Sequence, residues 1–191
     1  MDEVVQKVAS LKTSALVSYR KKNGYVPVVG AGSLEANIMF VGEAPGKNEA
    51  LTGKPFCGRS GVVLDTLLTS VGLHREDVYI TSIVKDRPPE NRDPSQKEIA
   101  VYTPFLDSQI DIIQPKIVAT LGRISMKYVL ERYANYLDVK PISDLHGTFL
   151  EGKAGFGTFK ILPLYHPAVA VYNVHKLGLL KDDFTLLKNA I

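Results

Sequence analysis

Four apolar runs, each the length of one strand, constrain the fold more than any other feature of this sequence. Ile38–Val41, Val78–Val84, Ile117–Leu121 and Phe159–Leu164 are nearly continuous in apolar side chains, the pattern of strands buried on both faces. Between them the period changes to that of a helix. Val63, Leu64, Leu67, Leu68 and Val71 share one helical face, and Gly72 ends it. Ile99, Tyr102, Leu106, Ile110 and Ile113 mark a second helix, with Asp93 expected as N-cap, Pro94 at the first position and Gln96 closing a capping box. Pro104 within it is expected to bend or split the helix, because it removes one backbone donor. Leu177, Leu180, Phe184, Leu187 and Ile191 form the stripe of a C-terminal helix, and a further helix is expected near residues 2–12. Strands alternating with helices predict an α/β fold with a parallel sheet covered on both sides. Ligands of such folds bind beyond the carboxyl ends of the strands, so the loops after residues 41, 84, 121 and 164 are the ones to inspect.

With 191 residues and neither an internal repeat nor a low-complexity linker, the chain reads as a single domain over residues 1–191. Its net charge of +3 permits a nucleic-acid partner without requiring one. The one cysteine, Cys57, excludes an internal disulfide and any multi-cysteine metal site, and Cys57 itself reads as a packed loop residue. The four histidines (His74, His146, His166 and His175) show no ligand spacing, so no metal is expected. No apolar run approaches the roughly 18–20 residues of a membrane span, and no signal peptide is evident. A cytoplasmic monomer with no membrane partner is the expectation.

The first strand leads into "GEAPGKNEALTGKPFCGRSG" (42–61), rich in glycine and carrying two prolines. Such a loop lets the backbone approach a ligand closely and opens amide groups toward it, or makes a wide turn. No Gly-Lys-Ser/Thr triplet closes it, which excludes a Walker loop. Phe56 is a lone aromatic there, either a plug on the core or a platform for a planar ligand. The fourth strand leads into "YHPAVAVYN" (165–173), placing His166 on the same sheet edge. "TLGR" (120–123) turns into a helix at Gly122 and sets Arg123 near its N-terminus, to contact phosphate or solvent.

In order and spacing, "GEAPG…GKPFCGRSG", "VYITSIVKDRPPENRDP", "TLGR" and "YHPAV" resemble the family 4 uracil-DNA glycosylases. The resemblance spans about residues 28 to 185. It implies a three-layer α/β/α sandwich with a central four-stranded parallel sheet, acting on DNA that contains a deaminated base. Enzymes of this kind flip the nucleotide into a pocket to reach it. The resemblance makes Phe56 the stacking ring and His166 the group that stabilises charge at uracil O2 as the glycosidic bond breaks. Glu43 and Glu49 are the nearest acids to place the water or balance the sugar cation, since Ala44 stands where related glycosylases carry an aspartate. The loop from Pro167 and Ala168 is expected in the minor groove, and Arg59, Lys85, Arg87, Arg92 and Arg123 on phosphates.

Two departures from the family stand out. Its members usually hold an iron–sulfur cluster through four cysteines, two of them at the positions of Asp86 and Tyr102 and two near Ala15 and Ser18. Carboxylate and phenol do not replace thiolates there, so no cofactor is expected, and an Asp86–Tyr102 hydrogen bond is expected as the substitute staple. The second is Ser82, where the family has an asparagine that reads the uracil edge. A rotatable hydroxyl serves as donor or acceptor and discriminates less sharply. Three activities are therefore carried forward: excision of uracil, excision of hypoxanthine or xanthine, and DNA binding without catalysis. A sliding-clamp partner is left open.

Overall fold

The structure, a computed structural model, describes residues 1–136 and 138–188. Its strands are β1 (Ala31–Gly32), β2 (Ile38–Gly42), β3 (Tyr79–Ser82), β4 (Ile117–Leu121), β5 (Leu150–Ala154) and β6 (Gly157–Leu164). The helices are α1 (Asp2–Ser10), α2 (Ala15–Lys22), α3 (Lys47–Thr52), α4 (Arg59–Ser70), α5 (Gln96–Ile113), α6 (Arg123–Tyr133), α7 (Ile142–Leu145), α8 (Ala168–Tyr172) and α9 (Leu177–Lys188). Of the C-terminal stripe, Leu180, Phe184 and Leu187 are buried, and Ile191 lies outside the described residues.

All four expected strands form, and they lie side by side in parallel as β3-β2-β4-β6. Among the described residues the sheet nevertheless has six strands, because β1 pairs antiparallel with β3 and β5 antiparallel with β6. Two-residue β1 and half-exposed β5 carry no continuous apolar run, so the pattern that reveals a doubly buried strand does not reach them. Within β2, side chains alternate strictly between the two cores. Ile38 and Phe40 pack with Leu64, Leu67 and Leu68 of α4 and Phe184 of α9. Met39 and Val41 pack with Leu106 and Ile110 of α5 and Val129 of α6.

The start of α5 differs from the sequence expectation. Ser95 is the N-cap, accepting from the Glu98 amide, while the Glu98 carboxylate accepts from the Ser95 amide. "RDPSQKE" offers two pairs three apart with capping chemistry, Asp93 with Gln96 and Ser95 with Glu98, and the helix starts on the second. Nor does Pro104 split the helix, which runs unbroken from Gln96 to Ile113. The carbonyl that proline leaves without its amide donor, that of Ala100, accepts from Thr103 Oγ1 at 3.3 Å.

The charged loop after β3 turns inward. Lys85, Asp86 and Arg87 are 0%, 1% and 8% exposed. Lys85 Nζ donates to Thr81 Oγ1 (2.7 Å), the Ser82 carbonyl (2.6 Å) and Gln109 Oε1 (2.6 Å), so each of its three protons has an acceptor. Burial pushes this amine well below its ordinary pKa. Asp86 accepts from Tyr102 Oη at 2.6 Å, as expected, and also from Arg20 Nη1 at 2.9 and 3.1 Å. Arg20, on α2, was not visible in the sequence as a partner. Its other amino group donates to the Ala9 carbonyl at the end of α1 (3.2 Å). One carboxylate thus ties α1, α2, α5 and the loop after β3 together.

Removing one partner of a buried ion pair strands the other, at a cost of about 3–5 kcal/mol. Asp86→Ala should lower the unfolding free energy in urea by that amount. Tyr102→Phe, which removes one hydrogen bond to a charged group, should cost about 1.5–3 kcal/mol.

Candidate active site

The parallel strands bring four loops, distant in sequence, to one edge. Chain order changes direction across the sheet between β2 and β4, and ligand crevices form at such switch points. A cleft of about 370 Å³ opens there, within the roughly 300–1,000 Å³ of small-molecule sites. Its walls come from the loop after β2 (Glu43, Ala44, Glu49 and Phe56), the end of β3 (Ser82) and the loop after β6 (His166). Every base-pocket and catalytic candidate from the sequence therefore lines one cleft.

Phe56 is held in a demanding geometry. Its φ of 49° lies in the left-handed region, which costs a residue other than glycine of order 1–3 kcal/mol. Two glycines make room for it. A Cβ on Gly42 would stand 2.9 Å from the Phe56 ring, and one on Gly61 only 1.8 Å from the Phe56 carbonyl oxygen. Arg75, between α4 and β3, supplies the restraint. It donates to the Pro55 carbonyl (2.9 Å) and the Phe56 carbonyl, while its Nε pairs with Asp65 of α4 (2.6 Å). The ring therefore stands over the carboxyl end of β2, its centroid 5.6 Å from that of His166.

His166 is mostly buried, and burial pushes its pKa down to about 4, with the Glu49 carboxylate opposing the shift. The ring is thus neutral at pH 7. Its Nδ1 accepts from the Ala168 amide at 3.1 Å, so the single proton of the neutral ring resides on Nε2. This leaves a donor available to the cleft. Glu49 is fixed by the amides of Cys57 and Gly58, both donating to Oε1 at 2.9 Å. Glu43 has no side-chain hydrogen bond among the described residues. Burial, followed by the neighbouring Asp93 carboxylate, raises its pKa to about 7, and Arg123 opposes this. Ser82 is almost wholly buried, and its Oγ donates to the Val84 carbonyl at 2.8 Å.

Several DNA-contact expectations are corrected. Lys85 is enclosed in the core network and cannot reach a phosphate. Arg87 is buried too, with Nε on Asn91 Oδ1 (2.7 Å) and Nη1 on Tyr25 Oη (3.0 Å). Both sit in a stretch whose composition resembles a surface turn, and hydrogen-bond partners distant in sequence, Gln109 for Lys85 and Tyr19 and Tyr25 for Arg87, allow their burial. Arg92 is half-exposed and doubly bonded to Glu98. Pro167 is buried at the start of α8 and Ala168 lines the cleft. Arg59 and Arg123 remain exposed, the latter paired with Asp93 at 2.9 Å. Cys57 is exposed rather than packed. The sequence reading missed Arg75, Asn91 on the cleft wall, and Tyr172, which is 86% exposed beside the cleft.

Residues 29–188 match the uracil DNA glycosylase superfamily. The chain belongs to that superfamily. It is 40% identical over 189 residues to a protein of Sulfurisphaera tokodaii named type-4 uracil-DNA glycosylase, covering 98% of this chain and 83% of that one. A protein of the same name from Saccharolobus solfataricus is 39% identical over 192 residues, with 100% and 86% covered. One from Archaeoglobus fulgidus is 36% identical over 184 residues, with 96% and 89% covered. The iron–sulfur cluster implied by the resemblance to family 4 does not fit the residues of this superfamily member. At two of the four positions that the resemblance gives to its cysteines, Asp86 and Tyr102 are hydrogen-bonded to each other, and the Arg20 guanidinium pairs with Asp86. The sole cysteine lies on the loop after β2.

Because the folded pKa of Glu43 lies above its ordinary 4.5, its contribution to stability is complete below pH 4.5 and is lost as pH rises through about 7. Glu43→Gln removes that loss. The Tm of the variant relative to wild type should therefore increase from below pH 4.5 to above pH 7, as read by thermal denaturation in a buffer series.

Proposed function

We infer that this chain hydrolyses the N-glycosidic bond of uracil in DNA, releasing the base and leaving an abasic site. The neutral, fixed imidazole of His166 in one cleft with Phe56 is the observation that carries this reading. The relatives' names, type-4 uracil-DNA glycosylase, support it and favour an enzyme over a DNA-binding module.

A base inside a duplex is out of reach, so the nucleotide rotates out and its base enters the cleft, at a cost of a few kcal/mol in lost stacking. Stacking on Phe56 recovers part of that cost. As the bond from C1′ to the base lengthens, negative charge collects on the departing base. His166 Nε2–H donates a hydrogen bond to O2, where much of that charge resides. A neutral donor suits the task because it keeps its proton while stabilising the anion. The sugar carries the matching positive charge. Glu49, oriented by two amides, balances it and orients the attacking water. Water adds at C1′, and the proton it loses is matched by the one the released base anion takes up, which completes hydrolysis without a covalent enzyme intermediate. Glu43, with a pKa close to neutrality, is less suited to the role of permanent counter-charge. Arg59 and Arg123, exposed around the cleft, contact phosphates and hold the strand in register.

We further propose that the enzyme works without an iron–sulfur cluster, the Arg20–Asp86–Tyr102 network taking the cluster's structural place. Purified protein should contain no iron and show no visible absorbance band, and its excision rate should be unaffected by prolonged chelation.

Loss of one preorganised donor to a developing anion costs roughly 10²–10³ in kcat. His166→Ala should show a loss of that size in alkali-revealed cleavage of uracil-containing oligonucleotides, with DNA affinity retained. Full activity in this variant would remove His166 from the reaction.

A further inference from the structure

Ser82 ends β3 inside the cleft, and its hydroxyl has a single proton to give. That proton is already committed, to the Val84 carbonyl at 2.8 Å. Among the described residues, this carbonyl accepts from no other group, and Val84 is fully buried. Turning the hydroxyl toward a ligand as donor would leave the carbonyl unpaired in the core, where no water replaces the lost bond. Neighbouring amides keep the turn in place, with Ile83 N donating to the Gly42 carbonyl (3.0 Å) and Val84 N to the Glu43 carbonyl (3.2 Å). Toward the cleft, Ser82 therefore offers lone pairs alone.

We propose that Ser82 is a specificity-determining residue that accepts a hydrogen bond from a protonated ring nitrogen of the flipped base. The proposal rests on the glycosylase reading and names its substrate class, bases with a lactam N–H. Uracil presents such a proton at N3 and hypoxanthine at N1. Cytosine and adenine present a bare lone pair at the corresponding nitrogen, which meets the lone pairs of Ser82 and leaves both groups unpaired. Deamination converts that acceptor into a donor, so one fixed acceptor separates a deaminated base from its parent. One oxygen does not also read the carbonyl beside the N–H. The class is therefore broader than uracil, and uracil and hypoxanthine both belong to it.

The test is a comparison of wild type and Ser82→Ala on oligonucleotides carrying uracil, hypoxanthine, 3-methyluracil or cytosine, read as kcat/KM. Wild type should excise uracil and hypoxanthine. Ser82→Ala should lower both by about 10- to 100-fold, the worth of one buried hydrogen bond. Excision of 3-methyluracil, which has no N3 proton, should be slow in wild type and unchanged in the variant. A general loss of folding would depress all substrates together, so the unchanged 3-methyluracil rate is the control. Undiminished excision of uracil and hypoxanthine by Ser82→Ala overturns the proposal. If wild type excises nothing, the glycosylase reading fails on its own, and titration with free uracil and cytosine decides the present one. Preference for uracil that vanishes in Ser82→Ala sustains it, and equal binding of the two bases overturns it.

Discussion

The carboxylate of Asp86 sits between a guanidinium and a phenol, with almost no solvent contact. In water such a pair contributes little. In the core its partners become obligatory, because each charge is costly when left alone. The three partners come from α2, the loop after β3 and α5, separated by up to 82 residues (Arg20 to Tyr102). Whatever holds these elements together also positions the wall of the cleft, since the same loop continues from Asp86 through Arg87 to Asn91. Arg87 extends the chain of contacts by binding Asn91 on one side and, on the other, Tyr19 of α2 and Tyr25 just beyond that helix. The cleft is thus built outward from a polar centre rather than from an apolar one.

Beside that centre, the parallel sheet does the long-range work. Four strands pointing the same way deliver the ends of β2, β3 and β6, with Gly42, Ser82 and Leu164, to one side of the molecule. A neutral histidine from the loop after β6 then meets an aromatic ring and an oriented carboxylate from the loop after β2. Each is fixed by a contact of its own: an amide on His166 Nδ1, Arg75 behind Phe56, and two amides on Glu49.

Much of this was legible in the sequence. Continuous apolar runs expose doubly buried strands, so the four parallel strands and the edge at which the cleft forms could be placed from residues 38–41, 78–84, 117–121 and 159–164. Edge strands β1 and β5 lacked that signal. The candidates lining the cleft were legible because glycine-rich and His-Pro loops follow strand ends directly. Charge was the misleading cue. Lys85 and Arg87 look solvated when read along the chain, and their burial follows from Gln109, Tyr19 and Tyr25, whose proximity no local pattern shows. Arg20 was hidden for the same reason. The direction of the Ser82 hydroxyl depends on the position of one carbonyl two residues ahead, a matter of backbone path that residue identity alone does not encode.

Phe56 carries a wider consequence. Its unusual backbone is already set by Gly42, Gly61 and Arg75, so the platform exists before any nucleotide arrives. Little conformational entropy remains for the protein to lose on capture. The energetic barrier then lies almost wholly in the nucleic acid, in the work of parting a base from its neighbours and its partner. A rigid receptor of this kind leaves triage to the DNA itself. Nucleotides that are mispaired or unpaired, and so already loosely held, reach the cleft more often than those in a sound helix.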